Sequence, residues 1–133
     1  MIYIGKEPIQ ILWDITKDLY LTHKIPIYKE TMHEEAKDTP DSYIVLRSEI
    51  TDSPEVYGDG ETLTRYADCD IILVSKGYAD DTKDLHNKNK RLIKKHLQSQ
   101  GIAFQSVNLG YNDALKSTEH TFSVGVEYIG EED

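Results

Sequence analysis

Five histidines, one cysteine and 24 acidic side chains are the groups in this 133-residue chain that could bind a metal, move a proton or attack an electrophile. Each of those chemistries needs several groups converging on one atom, so their spacing decides what they can do. His33-Glu34-Glu35-Ala36-Lys37 begins like the helical His-Glu-x-x-His zinc motif, in which two histidines one turn apart hold the ion and the glutamate activates water. Lys37 stands where the second histidine must be, which leaves a solvated polar loop as the better reading. Asp68 and Asp70 project to the same side of a predicted strand, where paired carboxylates could share a cation or a proton. Nothing near them in sequence completes such a site, so an exposed strand start is expected. Asp52, Glu55, Asp59 and Glu61 match a calcium loop in composition but not in ligand spacing. His86 and His96 lie ten residues apart on a predicted helix, too far to be paired ligands, and His96 is expected at the border of an apolar stripe. Cys69 falls in a half-buried strand with no helix N-terminus to lower its pKa, as a small core residue would. There is no glycine-rich phosphate loop and no Gly-x-Ser-x-Gly. The expectation is therefore no catalytic residue, no cofactor and no metal.

The elements that carry these residues follow from apolar periodicity. Ile9, Leu12, Trp13, Leu19 and Tyr20 recur at helical spacing over residues 8–21, with Pro8 suited to the first turn and Trp13 the largest available core anchor. Ile25-Pro26-Ile27-Tyr28 reads as a short strand that its proline places at a sheet edge. The polar stretch 29–41 ends in Thr39-Pro40-Asp41 and reads as a surface loop. Residues 42–51 alternate, with Ile44, Leu46 and Ile50 on one face and Arg47 and Glu49 on the other. Tyr57-Gly58-Asp59-Gly60 then predicts a hairpin within 52–61. Its second strand, 62–76, starts polar and becomes wholly apolar at Ile71-Ile72-Leu73-Val74.

Asp80-Asp81-Thr82 supplies caps for a helix with apolar positions Leu85, Leu92, Ile93 and Leu97, and Gly101 suits a left-handed stop. A strand over 102–108, a loop over 109–117 and a strand over 118–129 follow. In the last, Phe122, Val124, Val126 and Tyr128 share one face. No repeat or linker divides the chain. The predicted fold is a single α+β domain over 1–133, with two helices packed on one face of a mostly antiparallel β-sheet.

Charge narrows the function classes. The net charge is -9, and the shortage of Lys and Arg disfavours tight binding to nucleic acid, which rests on neutralising phosphates. No apolar run approaches the roughly 20 residues that span a bilayer, so no membrane partner is expected. The first residues, Met1-Ile2-Tyr3-Ile4-Gly5-Lys6, lack a basic stretch followed by an apolar block, and the single cysteine suits a reducing compartment, so an exported protein is not expected. Residues 80–100 hold six basic and three acidic side chains, a local +3, and the remainder carries -12. A cationic helix on an anionic body suits a head-to-tail contact between identical copies, with Lys88, Arg91 and Lys95 as the candidate subunit interface. A merely solvated basic face is the alternative.

Taken in order, these elements resemble the small tail-completion or tail-terminator proteins of long, non-contractile-tailed bacteriophages. The likeness rests on the N-terminal amphipathic helix; on Asp41-Ser42-Tyr43-Ile44-Val45-Leu46; on Asp68-Cys69-Asp70-Ile71-Ile72-Leu73-Val74-Ser75-Lys76; on the helix closing in Leu97-Gln98-Ser99-Gln100-Gly101; and on Phe122-Ser123-Val124-Gly125-Val126-Glu127-Tyr128. It covers nearly the whole chain and rests on pattern, with no invariant motif.

The resemblance implies a structural virion protein, not an enzyme and without a cofactor, that forms a hexameric ring on the head-proximal end of the tail tube. Such a ring stops tube polymerisation and joins the tail to the head. Its partners would be further copies of itself, the tail tube protein and the head–tail connector protein, with DNA passing through an acidic lumen without tight binding. It would sit at the head–tail junction of the virion, and in the host cytoplasm during assembly, where a free monomer is compatible with a ring formed only on the tube. The loops at 29–41 and 52–61 are candidates for axial contacts, through Tyr28, Glu34, Glu35, Tyr57, Asp59 and Glu61. A head-completion protein of the same connector is the neighbouring alternative. From another class, an acidic DNA mimic that inhibits an enzyme would also use the negative charge. A basic helix interrupting the carboxylate surface counts against the mimic.

Overall fold

The computed structural model describes residues 2–29, 41–50, 55–57, 62–76, 79–112 and 117–129. Its first element, β1 (Ile2–Ile4), is a three-residue strand too short to show periodicity in sequence. The predicted helix follows as α1 (Pro8–Leu21), with the Glu7 backbone N–H donating to Gln10 Oε1 at 3.0 Å. Its buried face is turned from the expected one. Ile11, Leu12, Ile15, Thr16 and Leu19 go inward, whereas Tyr20 is 46% exposed and Trp13 is only half-buried. Both stripes have helical spacing, and the sheet surface selects the slimmer aliphatic one. Trp13 instead lies at the rim with the Lys29 ammonium 5.3 Å above its ring. The buried Thr16 hydroxyl donates back to Leu12 O at 2.8 Å, so it costs no unpaired polar group.

The strands β2 (Ile27–Lys29), β3 (Ser42–Ile50), β4 (Glu55–Tyr57), β5 (Thr62–Lys76), β6 (Gln105–Asn112) and β7 (Ser117–Ile129) join β1 in one seven-stranded sheet. Its backbone order is β1-β7-β5-β3-β2, with β4 beside β5 and β6 beside β7. The sheet is mixed. The pairs β3·β5, β4·β5, β5·β7 and β6·β7 are antiparallel, but β1·β7 and β2·β3 are parallel. A parallel neighbour needs a crossover of about a dozen residues, which the polar stretch between Lys29 and Ser42 provides in length. β4, inside the expected 52–61 connection, is an addition to the predicted elements.

The second helix, α2 (Ala79–Ser99), starts before Asp80-Asp81-Thr82, so those residues lie in its first turn and not ahead of it. It stops in a Schellman arrangement: Ile102 N–H reaches Leu97 O at 3.0 Å, Gly101 N–H reaches Gln98 O at 3.1 Å, and Gly101 takes φ 69°. Gly101→Ala should cost about 1–2 kcal/mol, the penalty for a Cβ in the left-handed region, seen as a lower urea midpoint with an unchanged m-value. This closure occupies 101 and 102, and Phe104 then turns in against Phe122 at 5.6 Å between ring centroids. The following strand therefore begins at Gln105 instead of 102. It also continues to Asn112 through a bulge at Asn108/Gly110, beyond the predicted boundary, leaving Leu109 55% exposed.

Ile11, Leu12, Ile15 and Leu19 of α1 and Ile93 and Leu97 of α2 pack on Ile44 and Leu46 of β3, Cys69, Ile71 and Leu73 of β5, and Phe122, Val124, Val126 and Tyr128 of β7. These strand positions alternate in sequence and share one face by register, so both helices cover the same side of the sheet. Val45, Ile72 and Val74 form a smaller cluster on the other side, with Tyr43 against it. The run Ile71 to Val74 is thus buried on both faces, as its unbroken apolar sequence requires.

Candidate functional site

Three groups of side chains concentrate the chemistry. The first is a polar layer beneath α2. The stripe that α2 turns to the sheet reads His86, Asn89, Ile93, Leu97, all buried, whereas Leu85, expected in the core, is 38% exposed. Asn89 Nδ2 donates to Ser42 Oγ at 2.9 Å, Ser42 Oγ lies 3.0 Å from Ser75 Oγ, and Ser75 Oγ lies 2.7 Å from His86 Nδ1. Running the protons from Asn89 through Ser42 and Ser75 to His86 uses each hydroxyl hydrogen within the relay and makes Nδ1 an acceptor. The imidazole is then neutral. Burial pushes the His86 pKa below its usual value, and the Lys90 ammonium adds to the shift.

His120 of β7 lies in the same layer, opposite Leu73 and hydrogen-bonded through Nε2 to Ser106 Oγ. Its Nδ1 is buried with no hydrogen-bond partner among the described residues. Its pKa falls to about 4, through burial first and then Lys90 and His86. A serine within hydrogen-bond distance of a histidine has the outline of a nucleophile and its base. Ser75, however, is 0% exposed, and its hydrogen bonds satisfy buried polar groups of the relay.

The second group lies on the opposite side of the sheet. Tyr66, Asp68 and Asp70 of β5 line a groove of roughly 460 Å³ together with Phe104, Ser123 and Gly125. Ser123 donates its hydroxyl to Asp70 Oδ1 at 3.0 Å. The Tyr66 ring lies across Gly125 so closely that a Cβ there would stand 2.1 Å from its oxygen. Burial and then the Asp68 carboxylate raise the Tyr66 phenol pKa. The expected common orientation of Asp68 and Asp70 holds, with Asp68 exposed and Asp70 partly so. Among the described residues no group of three His, Cys, Asp or Glu side chains could hold a metal ion.

The third group is the outer surface of α2. Lys88, Arg91, Lys94 and Lys95 are all exposed. The ion pair present among the described residues is Lys6 with Asp14, so none of these cations is paired there.

The remaining candidate contacts are scattered. Tyr28 lies on β2, half-buried and edge-on to Tyr43 at 5.6 Å. Tyr57 lies on β4 opposite Thr62. Glu34, Glu35, Asp59 and Glu61 lie outside the described residues. His96 is the boundary histidine expected, with Nε2 2.6 Å from Ile15 O. Cys69 is fully buried in the core, as read. Missed by apolar periodicity were His86 and Asn89. A reading that allowed polar residues inward would have found them, since 86, 89, 93 and 97 lie on one helical stripe. No protein-family model, curated protein or solved structure matches the chain.

Proposed function

We propose that this chain is a structural virion protein, without catalytic activity, that caps the head-proximal end of a phage tail tube, ends tube polymerisation and joins the tail to the head connector as a ring of six copies. The observation that carries this reading is the exposed cationic face of α2 on a chain of net charge -9. Exposed charge of one sign on a body of the other favours association between identical copies, and head-to-tail association is what closes rings. A plate of two helices on one face of a mostly antiparallel sheet suits a cap that must hold its shape under load. The acidic remainder suits a lumen through which DNA moves without adhering, because carboxylates offer phosphates no counter-charge.

Electron microscopy of particles assembled without the protein tests the role. Filled heads and separate tails that never unite are expected, with tails of irregular length marking the loss of termination specifically. Normal complete virions would rule the reading out. Joined particles with empty or leaking heads would favour the head-completion role.

A further inference from the structure

Oppositely charged surfaces lie on opposite sides of this molecule. On the sheet face away from the helices, Asp68 pairs in register with Gly125, Tyr66 with Glu127, and Asp70 with Ser123, so three carboxylates fall within three successive alternate positions. Asp68 and Glu127 are exposed. Arg47 stands opposite Asp70 across β3·β5, yet no ion pair joins them. On the other side α2 presents Lys88, Arg91 and Lys95, also unpaired among the described residues. Because α2 packs on the helix-covered face of the sheet, its outer surface and this carboxylate patch face in opposite directions.

We infer that the acidic sheet face of one copy receives the cationic α2 face of a second copy, through Asp68, Asp70 and Glu127 against Lys88, Arg91 and Lys95. Charge complementarity selects this occupant. A two-fold contact would place each face against its own like and be repelled, so the attractive arrangement is heterologous, each copy giving one face and receiving the other. Tyr66 and the groove beside it provide an aromatic, partly apolar floor within the acidic face, where a long lysine or arginine stem can pack while its head reaches a carboxylate. The contact rests on the ring reading only for closure of the series. The association itself is a property of the two faces.

Two neutralising variants separate the halves of the contact: K88Q/R91Q/K95Q removes the cationic half, and D68N/E127Q removes the two exposed carboxylates of the anionic half. All five positions are exposed, so circular dichroism and urea midpoints should match those of the parent. In sedimentation velocity at low ionic strength, the parent should form species larger than a dimer. Raising salt from about 20 to 300 mM should weaken that association at least tenfold, as the Debye length falls from roughly 20 to 6 Å. Each variant alone should stay monomeric. An equimolar mixture should form a one-to-one heterodimer and nothing larger, because only one intact pairing of faces remains. The inference is overturned if the parent is monomeric at low salt and high concentration, if either variant assembles like the parent, or if the mixture does not pair. Open filaments of the parent in negative stain would uphold the contact and overturn the ring.

Discussion

Replacing Phe122 by alanine should remove about 3–5 kcal/mol of stability, the range for truncating a buried aromatic in a packed core. Phe122 is 1% exposed and sits where three elements meet. It is opposite Ile71 of β5 and Ser106 of β6, and its ring packs edge-on against Phe104 at 5.6 Å and tilted against His120 at 4.9 Å. Truncation leaves a cavity bounded by backbone on two sides, which cannot collapse without disturbing pairing on both flanks of β7. With a total stability of about 5–15 kcal/mol for such a domain, the loss is a large fraction of the whole. Urea unfolding should show a much lower midpoint with an unchanged slope. Leu109→Ala is the contrast: its side chain is 55% exposed at the bulge, and the change should stay within about 0.5 kcal/mol. A Phe122 loss as small as that of Leu109 would mean that the Phe122 ring is not packed against Phe104 and His120 in the core.

Acid should destabilise the fold through the histidines beneath α2. His120 has a folded pKa of about 4 against an ordinary 6.5, and His86 is lowered as well. Between those two pH values the unfolded chain binds protons that the folded one refuses, so stability is full above about pH 6.5 and declines as the pH falls toward 4. Below 4 both states bind the proton and His120 contributes no further change. The slope is about 1.4 kcal/mol per pH unit per histidine, which brings the His120 contribution near 3 kcal/mol across the window. Lys90 of α2 and His86 both oppose a charge on His120, and in the charged ring the buried Nδ1–H would have no acceptor among the described residues to donate to. Urea midpoints in the parent should hold level from pH 7.5 to about 6.5 and fall from there to pH 4. His120→Asn, which cannot titrate, should lose stability at neutral pH yet show a visibly flatter decline. Identical slopes would exclude His120 as the titrating group.

The residues that were legible in advance share a property: their environment repeats along the chain. Phe122, Val124, Val126 and Tyr128 alternate with polar residues, so strand and buried face are both evident. Pro8 marks the start of α1, and Gly101 the stop of α2, through local backbone chemistry that needs no partner. β1 and β2 are three residues each and contain no full period, so their parallel partners β7 and β3 could not be read. The polar layer was hidden for a different reason. His86 meets Ser75 across 11 residues and Asn89 meets Ser42 across 47, and by itself each resembles an ordinary surface position on a hydrophilic helix. Asp68 and Asp70 were legible as neighbours on one face, but Glu127 joins them only through the β5·β7 register.

Sequence by itself determined the class of this protein: two amphipathic helices, alternating strands, a net charge of -9 and one helix of opposite sign. Those features are local, set by side-chain periodicity and composition. Tertiary structure decided which stripe of α1 is buried, which polar groups of α2 are drawn inward, and that the cationic helix surface and the clustered carboxylates face in opposite directions. These depend on strand register and helix rotation, quantities settled by packing between segments far apart in sequence. A charge pattern therefore becomes a direction of assembly only once the sheet has placed its two signs on opposite sides.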